Sequence, residues 1–269
     1  MLANARDVLK AAGIDNPVRE AALLWKATFP KRYIDYDAAM AGGRVAAFKT
    51  LVARRAAREP MSHLTGRRDF YDHRFEVTPD VLDPRPDTET LVATALEVPF
   101  KRVLDLGTGS GCILLSLLAA RKDAVGHGTD VSEAALKIAK RNAYRLELAV
   151  EDRARFRVAD WFDGVERTYD LIVCNPPYIA ADEMAALAPE LTYEPRMALT
   201  DEGDGLTCYR IITVQAGPYL NAGGWLMVEI GPTQGAAVMA MFEAAGLQNI
   251  GIRTDLDGRD RVIVGQKPL

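Results

Sequence analysis

The run Asn175-Pro176-Pro177-Tyr178 brings together residue types that can do chemistry as a set. It leaves a stretch rich in β-branched and apolar residues, Tyr169 to Cys174, that reads as a buried strand. Two successive prolines remove two backbone donors and leave carbonyl acceptors behind. The Asn175 side-chain oxygen and the Pro176 carbonyl then offer two acceptors to one NH2 group, and Tyr178 supplies a flat wall for a planar target. The nitrogen of an amide or of an exocyclic base amine is a poor nucleophile, because its lone pair is delocalised. Hydrogen bonds accepted from its two N–H groups push charge onto nitrogen. They strengthen as positive charge develops, which is where binding accelerates a reaction rather than merely holding its substrate. The catalytic candidates are therefore Asn175, Pro176, Pro177 and Tyr178. A nitrogen that has gained an alkyl group is acidic enough to release its proton unaided, so no histidine or carboxylate beside the motif is required.

A second constellation supplies the other reactant. Asp105-Leu106-Gly107-Thr108-Gly109-Ser110-Gly111 follows the short apolar strand at Val103 and opens a helix near Cys112. Glycines here let the backbone turn tightly and approach a ligand. The dinucleotide pattern G-x-G-x-x-G needs glycine where Cys112 stands, so a dehydrogenase reading fails at that position. The spacing fits the D-x-G-x-G-x-G turn of methyltransferases, which wraps the methionine and ribose parts of S-adenosylmethionine, a cofactor with no pyrophosphate. Asp130, at the expected end of the next strand, suits vicinal ribose hydroxyls. Asp160 and Trp161, after a third strand, suit an adenine: a carboxylate to accept from its amine and an aromatic to cover its ring. The expected cofactor-binding set is Gly107, Thr108, Gly109, Ser110, Gly111, Asp130, Asp160, Trp161 and Asn175, with S-adenosyl-L-homocysteine as the product. No metal is expected. Cys112, Cys174 and Cys208 are far apart with no C-x-x-C pair, histidines number three, and buried reduced thiols are the plain reading.

These residues need a scaffold, and the chain supplies one in two styles. Residues 1–60 read as helices only: Pro17 opens one, a second runs from Arg44 to Arg58, and Pro60 stops it. Residues 61–86 hold a hairpin candidate, Arg68 to Val77, and a connector stiffened by Pro79, Pro84 and Pro86. Asp87 or Thr88 is the expected cap of the helix through Leu91, Val92 and Leu96. From 87 to 269 strands alternate with helices, near Val103, Ala124, Arg155, Tyr169, Gly224, Ile250 and Arg261, with Ser132 as the expected cap of the helix to Leu146. That alternation predicts an α/β fold, a doubly wound, mostly parallel sheet with one antiparallel strand at its end. The stretch from Ile179 to Gly205 exceeds ordinary connection lengths, which marks it as a functional loop.

The chain has 269 residues, 49% of them hydrophobic and 26% charged, and so sits at globular averages. No apolar run approaches the roughly 20 residues of a membrane helix, and the N-terminus lacks the order of a signal peptide, so a soluble cytoplasmic protein is expected. Net charge is −4, but residues 1–70 carry 13 basic against 7 acidic residues. That excess is no more than a solvated helical face often shows. The acidic balance of the remainder, with no basic target-recognition domain, argues against a nucleic-acid substrate.

Motifs along nearly the whole chain resemble the PrmC (HemK) family. They are Arg58-Glu59-Pro60 with Ser62 to Gly66, Phe70 and Phe75, Pro84-Arg85-Pro86-Asp87-Thr88-Glu89, Asp105 to Gly111, and Asn175 to Ile179. Glu194-Pro195, Asp204-Gly205-Leu206, Glu229-Ile230-Gly231 with Gln234, and Asp257 to Arg261 continue the match in order. The resemblance implies a class I methyltransferase domain of seven strands behind a helical domain and a hairpin linker. It implies protein-(glutamine-N5) methylation of class 1 peptide-chain release factors at their Gly-Gly-Gln motif, with residues 1–60 docking that substrate and the chain acting as a monomer. Asp83 departs from the pattern, where the family often has an apolar residue. The alternative is an amino-methyltransferase of adenine or cytosine, which shares the Asn-Pro-Pro-Tyr logic.

Overall fold

The computed structural model describes residues 1–29, 43–148 and 152–269. The helical expectation for residues 30–42 lies outside the described residues. Two compact units emerge: Met1–Arg67 with Ala188–Tyr193, and Arg68–Leu187 with Glu194–Leu269.

In the first unit, α1 (Leu2–Ala11), α2 (Pro17–Thr28), α3 (Arg44–Ala56) and α4 (Met61–Thr65) close around Leu9, Leu24, Phe29 and Phe48. Pro17 takes the first position of α2, and the Asn16 side chain accepts from the Arg19 amide at 3.3 Å, so the orphan donors of that turn are met. Two sequence expectations are corrected here. The helix expected to reach Arg58 ends at Ala56, and Pro60 precedes a short helix, α4, inside the stretch expected to hold hairpin and connector. The reason is local: proline has a φ suited to a helix start, and Ser62 and Leu64 bury into the same core. Arg55 is buried in this unit and is held by Glu20 at 2.6 Å and Glu190 at 3.2 Å.

The second unit opens with the hairpin β1 (Arg67–Phe70) and β2 (His73–Glu76), followed by α5 (Glu89–Leu96). Strands then alternate with helices: β3 (Arg102–Leu106), α6 (Cys112–Ala120), β4 (Val125–Asp130), α7 (Glu133–Arg145), β5 (Ala154–Val158) and β6 (Tyr169–Cys174). After three short 3-10 turns in the long connection come α8 (Thr207–Ala216), β7 (Leu220–Glu229), α9 (Gly235–Ala244), β8 (Gln248–Thr254) and β9 (Asp260–Gln266). The seven strands lie in the order β5-β4-β3-β6-β7-β9-β8. All pairs are parallel except those of β9, which runs antiparallel to β7 and β8, as the short last connection predicts.

The central strands are apolar on both faces because helices cover both. Val103, Leu171, Val173, Met227 and Val264 turn to one layer with Leu91, Leu114 and Leu118. Their alternate neighbours Leu104, Leu106, Ile172, Leu226 and Ile263 turn to the other, with Tyr209, Ile212 and Phe242. Strand order reverses at β3, which has β4 on one side and β6 on the other. The crevice outside the carboxyl ends of these strands is the place for a ligand in such a sheet.

Candidate active site

Four strand ends converge at that edge. In-register pairing sets Leu106 of β3 beside Thr129 of β4 and Cys174 of β6, and sets Asp130 beside Val158 of β5. The segments that follow, Gly107–Gly111, Asp130–Ser132, Asp160–Trp161 and Asn175–Tyr178, are thereby delivered to one edge although they span 72 positions from Gly107 to Tyr178.

They surround a cavity of about 600 Å³, within the usual range for small-molecule sites. Gly107, Gly109, Asp130, Asp160, Trp161, Asn175, Pro176 and Pro177 line it. Val81, Leu82, Met197 and Cys208 are among the other residues of its walls. Thr108, Ser110, Gly111 and Tyr178, also singled out from sequence, are not among the lining residues. The first three shape the loop from behind. The Thr108 hydroxyl donates to Asp105 at 2.6 Å, the Ser110 carbonyl accepts from Asn142 at 2.9 Å, and Gly111 packs against Leu115 and Ala139 at φ +81°.

Asp105 is fully buried, and burial pushes its carboxyl up to about 7 against the pull of the Thr108 hydroxyl. Asp130 uses one oxygen on the Gly109 amide and the other on the Ser132 amide, each at 2.9 Å. Its carboxylate therefore ties the glycine loop to the start of α7, where the Ser132 hydroxyl accepts from Ala135 as expected of the cap. Each carboxylate oxygen keeps a second lone pair for a hydroxyl in the cavity. Trp161 is half-buried at φ +49° and packs on the Tyr209 layer while also lining the cavity. Core packing and ligand contact are both open to it.

The Asn175 amide donates from Nδ2 to the Thr88 hydroxyl at 3.2 Å. With its NH2 group occupied there, its oxygen remains as an acceptor. Tyr178 turns its hydroxyl inward to Glu229 at 3.4 Å, while its carbonyl accepts from Gln234 Nε2 at 2.9 Å. Gln234 also accepts from the Gly231 amide at 2.9 Å, and the Tyr209 hydroxyl donates to the Glu229 carbonyl at 2.8 Å. The motif is thus clamped from behind by residues of β7, α8 and the turn before α9.

Sequence reasoning gave no place in the site to Thr88, Glu229, Gln234 or Arg261. It expected Asp87 or Thr88 to cap α5, and this is corrected: no side chain caps that helix. The connector residues turn elsewhere. Arg85 donates to Glu194 at 2.6 Å, Asp87 pairs with Arg261 at 3.2 Å, Thr88 meets Asn175, and Glu89 accepts from the Tyr71 amide at 3.0 Å. The unusual Asp83 is buried between Arg68 at 3.6 Å and Arg85 at 3.9 Å, so its charge is matched. The signal in the sequence was the dense run Pro84–Glu89 itself, whose partners lie as far as 174 positions away.

A family model for the methyltransferase small domain matches residues 82–208, and one for the PrmC N-terminal domain matches residues 1–66. The release factor glutamine methyltransferase of Cereibacter sphaeroides is 48% identical over 97% of this chain and 95% of its own length. The chain belongs to the release factor glutamine methyltransferase family. The member from Rhodospirillum rubrum is 42% identical, covering 96% of this chain and 82% of its own. Among solved structures, the hMettl16 catalytic domain with a MAT2A 3'UTR hairpin matches at a TM-score of 0.58 and 18% identity, over 81% of this chain and 80% of its own. A methyltransferase from Pyrococcus furiosus matches at 0.54 and 17% identity, over 72% of this chain and 89% of its own. At such identities these two share the Rossmann-like methyltransferase fold with this chain and nothing finer. As a member of the PrmC/HemK family, the protein is an S-adenosylmethionine-dependent methyltransferase. The cavity suits that cofactor: a tight loop at one end, a carboxylate at a strand end, and an acid beside an aromatic at the other.

Proposed function

We propose that the protein methylates N5 of the glutamine in the Gly-Gly-Gln motif of class 1 peptide-chain release factors, in support of translation termination. The observation that carries this reading is the Asn175 amide, whose donor side is taken by Thr88 and whose acceptor side remains for an incoming NH2 group. Asn175 Oδ1 and the Pro176 carbonyl accept from the two N–H groups of the glutamine amide. Pro177 denies a competing donor, and Tyr178 holds the turn. S-adenosylmethionine supplies an electrophilic methyl on sulfonium sulfur. Gly107 to Gly111 shape its methionine end, Asp130 receives the ribose hydroxyls, and Asp160 with Trp161 frames the adenine. The gain comes from alignment for in-line attack and from hydrogen bonds that tighten with developing charge. Each such bond is worth roughly 1.5–3 kcal/mol.

The same reading assigns substrate docking to residues 1–60 and linkage to residues 61–86, leaving 87–269 for the transfer. It places the enzyme in the cytoplasm as a monomer. No helix among the described residues is long and apolar enough to cross a membrane.

The test is incubation of the purified protein with labelled S-adenosylmethionine and a release factor, followed by peptide mass spectrometry. One methyl on the Gly-Gly-Gln glutamine is the expected result. Label in DNA or RNA with none on the factor would sink the reading and favour the base-amine alternative. A short Gly-Gly-Gln peptide should turn over far more slowly than the whole factor; equal rates would remove the docking role.

A further inference from the structure

The opposite edge of the sheet carries a second cavity. It lies at the amino ends of β3, β4, β5 and β6 and has a volume of about 150 Å³. Arg102, Arg153, Arg155, Arg167, His127 and Tyr169 give its wall a cationic character. No residue lines both this cavity and the one at the carboxyl edge. Alternation along β4 explains the placement. A Cβ at Gly126 would meet Leu114 and Val103, so His127 turns to the other layer. There its Nδ1 lies 2.6 Å from the Tyr169 hydroxyl, a contact that spans β3. The connection from β5 to β6, residues 159–168, carries no α-helix, and Arg167 stands near its end.

Arg102 and Arg167 make no ion pair and no side-chain hydrogen bond among the described residues. Asp170, whose charge neighbours Arg102, is engaged elsewhere. One of its oxygens accepts from the Lys101 and Arg102 amides, each at 2.9 Å, and the other from Asn221 at 2.7 Å. Arg153 donates to the carbonyls of Leu118 and Arg121, each at 2.7 Å, which fix its charge in place without neutralising it. Asp152 is the one acid among the lining residues. Burial lowers the pKa of His127, and the charges of Arg155, Arg167 and Arg102 lower it further. Burial pushes Tyr169 up to about 12, so its hydroxyl keeps its proton.

We propose that this cavity binds a phosphate group, either inorganic phosphate or that of a small phosphomonoester. Four arginines against one acid call for more than a single negative charge, and a phosphate carries about −1.5 to −2 at neutral pH. A carboxylate brings only one. The guanidinium fork matches phosphate oxygens two at a time. With Nδ1 of His127 held by Tyr169, Nε2 remains as a further partner for an oxygen. The volume is that of roughly five waters. It accepts one phosphate and not a run of them, which sets a nucleic-acid backbone aside.

The experiment uses the full-length protein saturated with S-adenosyl-L-homocysteine, so that no anion enters the cofactor cavity. Inorganic phosphate and glycerol 3-phosphate are titrated calorimetrically at constant ionic strength, with chloride as the balancing anion. One saturable site is expected. Arg102→Gln and Arg167→Gln should each weaken phosphate binding about 10-fold or more, the loss of a charge-assisted hydrogen bond. Their affinity for S-adenosyl-L-homocysteine should stay within about twofold of wild type, the sign of an intact fold. Arg19→Gln, at an exposed position of α2, should bind phosphate as wild type does. Bound phosphate should also raise the pKa of His127 by offsetting the arginine charges, and NMR of the three histidines reads it. Tighter binding of glycerol 3-phosphate than of phosphate would assign the site to a phosphomonoester, and the reverse order to the free anion; either upholds the proposal. Lack of saturable binding, equal affinity in wild type and both arginine variants, or a His127 pKa unmoved by saturating phosphate overturns it. So does an oligonucleotide that displaces phosphate and binds more tightly than it. Every readout is binding, so a protein that methylates no glutamine would sink the functional reading and leave this site standing.

Discussion

Asp130 has both carboxylate oxygens engaged by backbone amides, Gly109 on one side and Ser132 on the other. A residue that merely capped α7 would need only the second. The first gives it a hold on the glycine loop that lines the cavity. Asp130→Ala should therefore weaken cofactor binding about 10- to 100-fold, through the lost charge-assisted bonds and the loosened loop together. Calorimetric titration with S-adenosyl-L-homocysteine measures it, and an affinity within threefold of wild type would return Asp130 to the role of a cap. Asn175→Ala makes the contrasting prediction. It should cost the chemical step at least about 100-fold, because two aligned acceptors become one, a loss larger than its loss of cofactor affinity. Single-turnover rates beside binding constants separate the two residues.

At the scale of elements, the connector at residues 84–89 is held by ion pairs and hydrogen bonds to distant parts of the chain. Glu194 is nearly inaccessible, with Arg85 as its ion-pair partner at 2.6 Å, and burial raises its pKa despite that partner. Removing the cation leaves a buried carboxyl without its match, which costs about 3 kcal/mol. Arg85→Ala should lower Tm by roughly 6–12 °C on that basis, and differential scanning calorimetry reads it directly. Gly205 makes a steric prediction for the long connection. It holds φ +75°, and a Cβ there would collide with the Tyr178 carbonyl oxygen and crowd Gln234 Nε2 at 2.9 Å. Gly205→Ala should therefore disturb the very carbonyl that Gln234 clamps. We expect turnover to fall more steeply than stability; a variant with lowered Tm and wild-type rate would contradict this.

For the whole molecule, two fully buried carboxyl groups, Asp105 and Glu229, are pushed up to about 7 from 3.8 and 4.5. Each holds a proton in the folded state that the unfolded chain has released, so each favours folding most strongly at low pH. That contribution is complete below about pH 4 and lost as pH rises through about 7, with a slope near 1.4 kcal/mol per pH unit for each proton. Carboxylates held low, such as Asp170 and Asp255, act only below this window. Asp105→Asn should flatten the decline between pH 5 and 7 in urea unfolding of the ligand-free enzyme. An unchanged slope would mean that Asp105 is ionised in the folded protein.

Much of this was legible from sequence for a physical reason. The strands β3, β6, β7 and β9 carry apolar runs buried on two faces, and those runs announce themselves without a partner. The Gly107–Gly111 loop, Asp130, Asp160–Trp161 and Asn175–Tyr178 each follow a strand, and a parallel sheet must deliver all such segments to one edge. Sequence therefore determined the fold class and the sheet edge at which the candidate site residues gather. It did not determine what stands behind that edge. Thr88 read as a helix cap, a role that a threonine before an apolar run fills by local bonding alone. Glu229 was one more acid at a strand end, and Arg261 one more cation. Only tertiary structure brings the strap at 84–89 across β7 and β9, so that Thr88 meets Asn175 and Asp87 meets Arg261. Contacts across 87 and 174 positions leave no periodicity in the chain, because their spacing is set by the order of strands in the sheet.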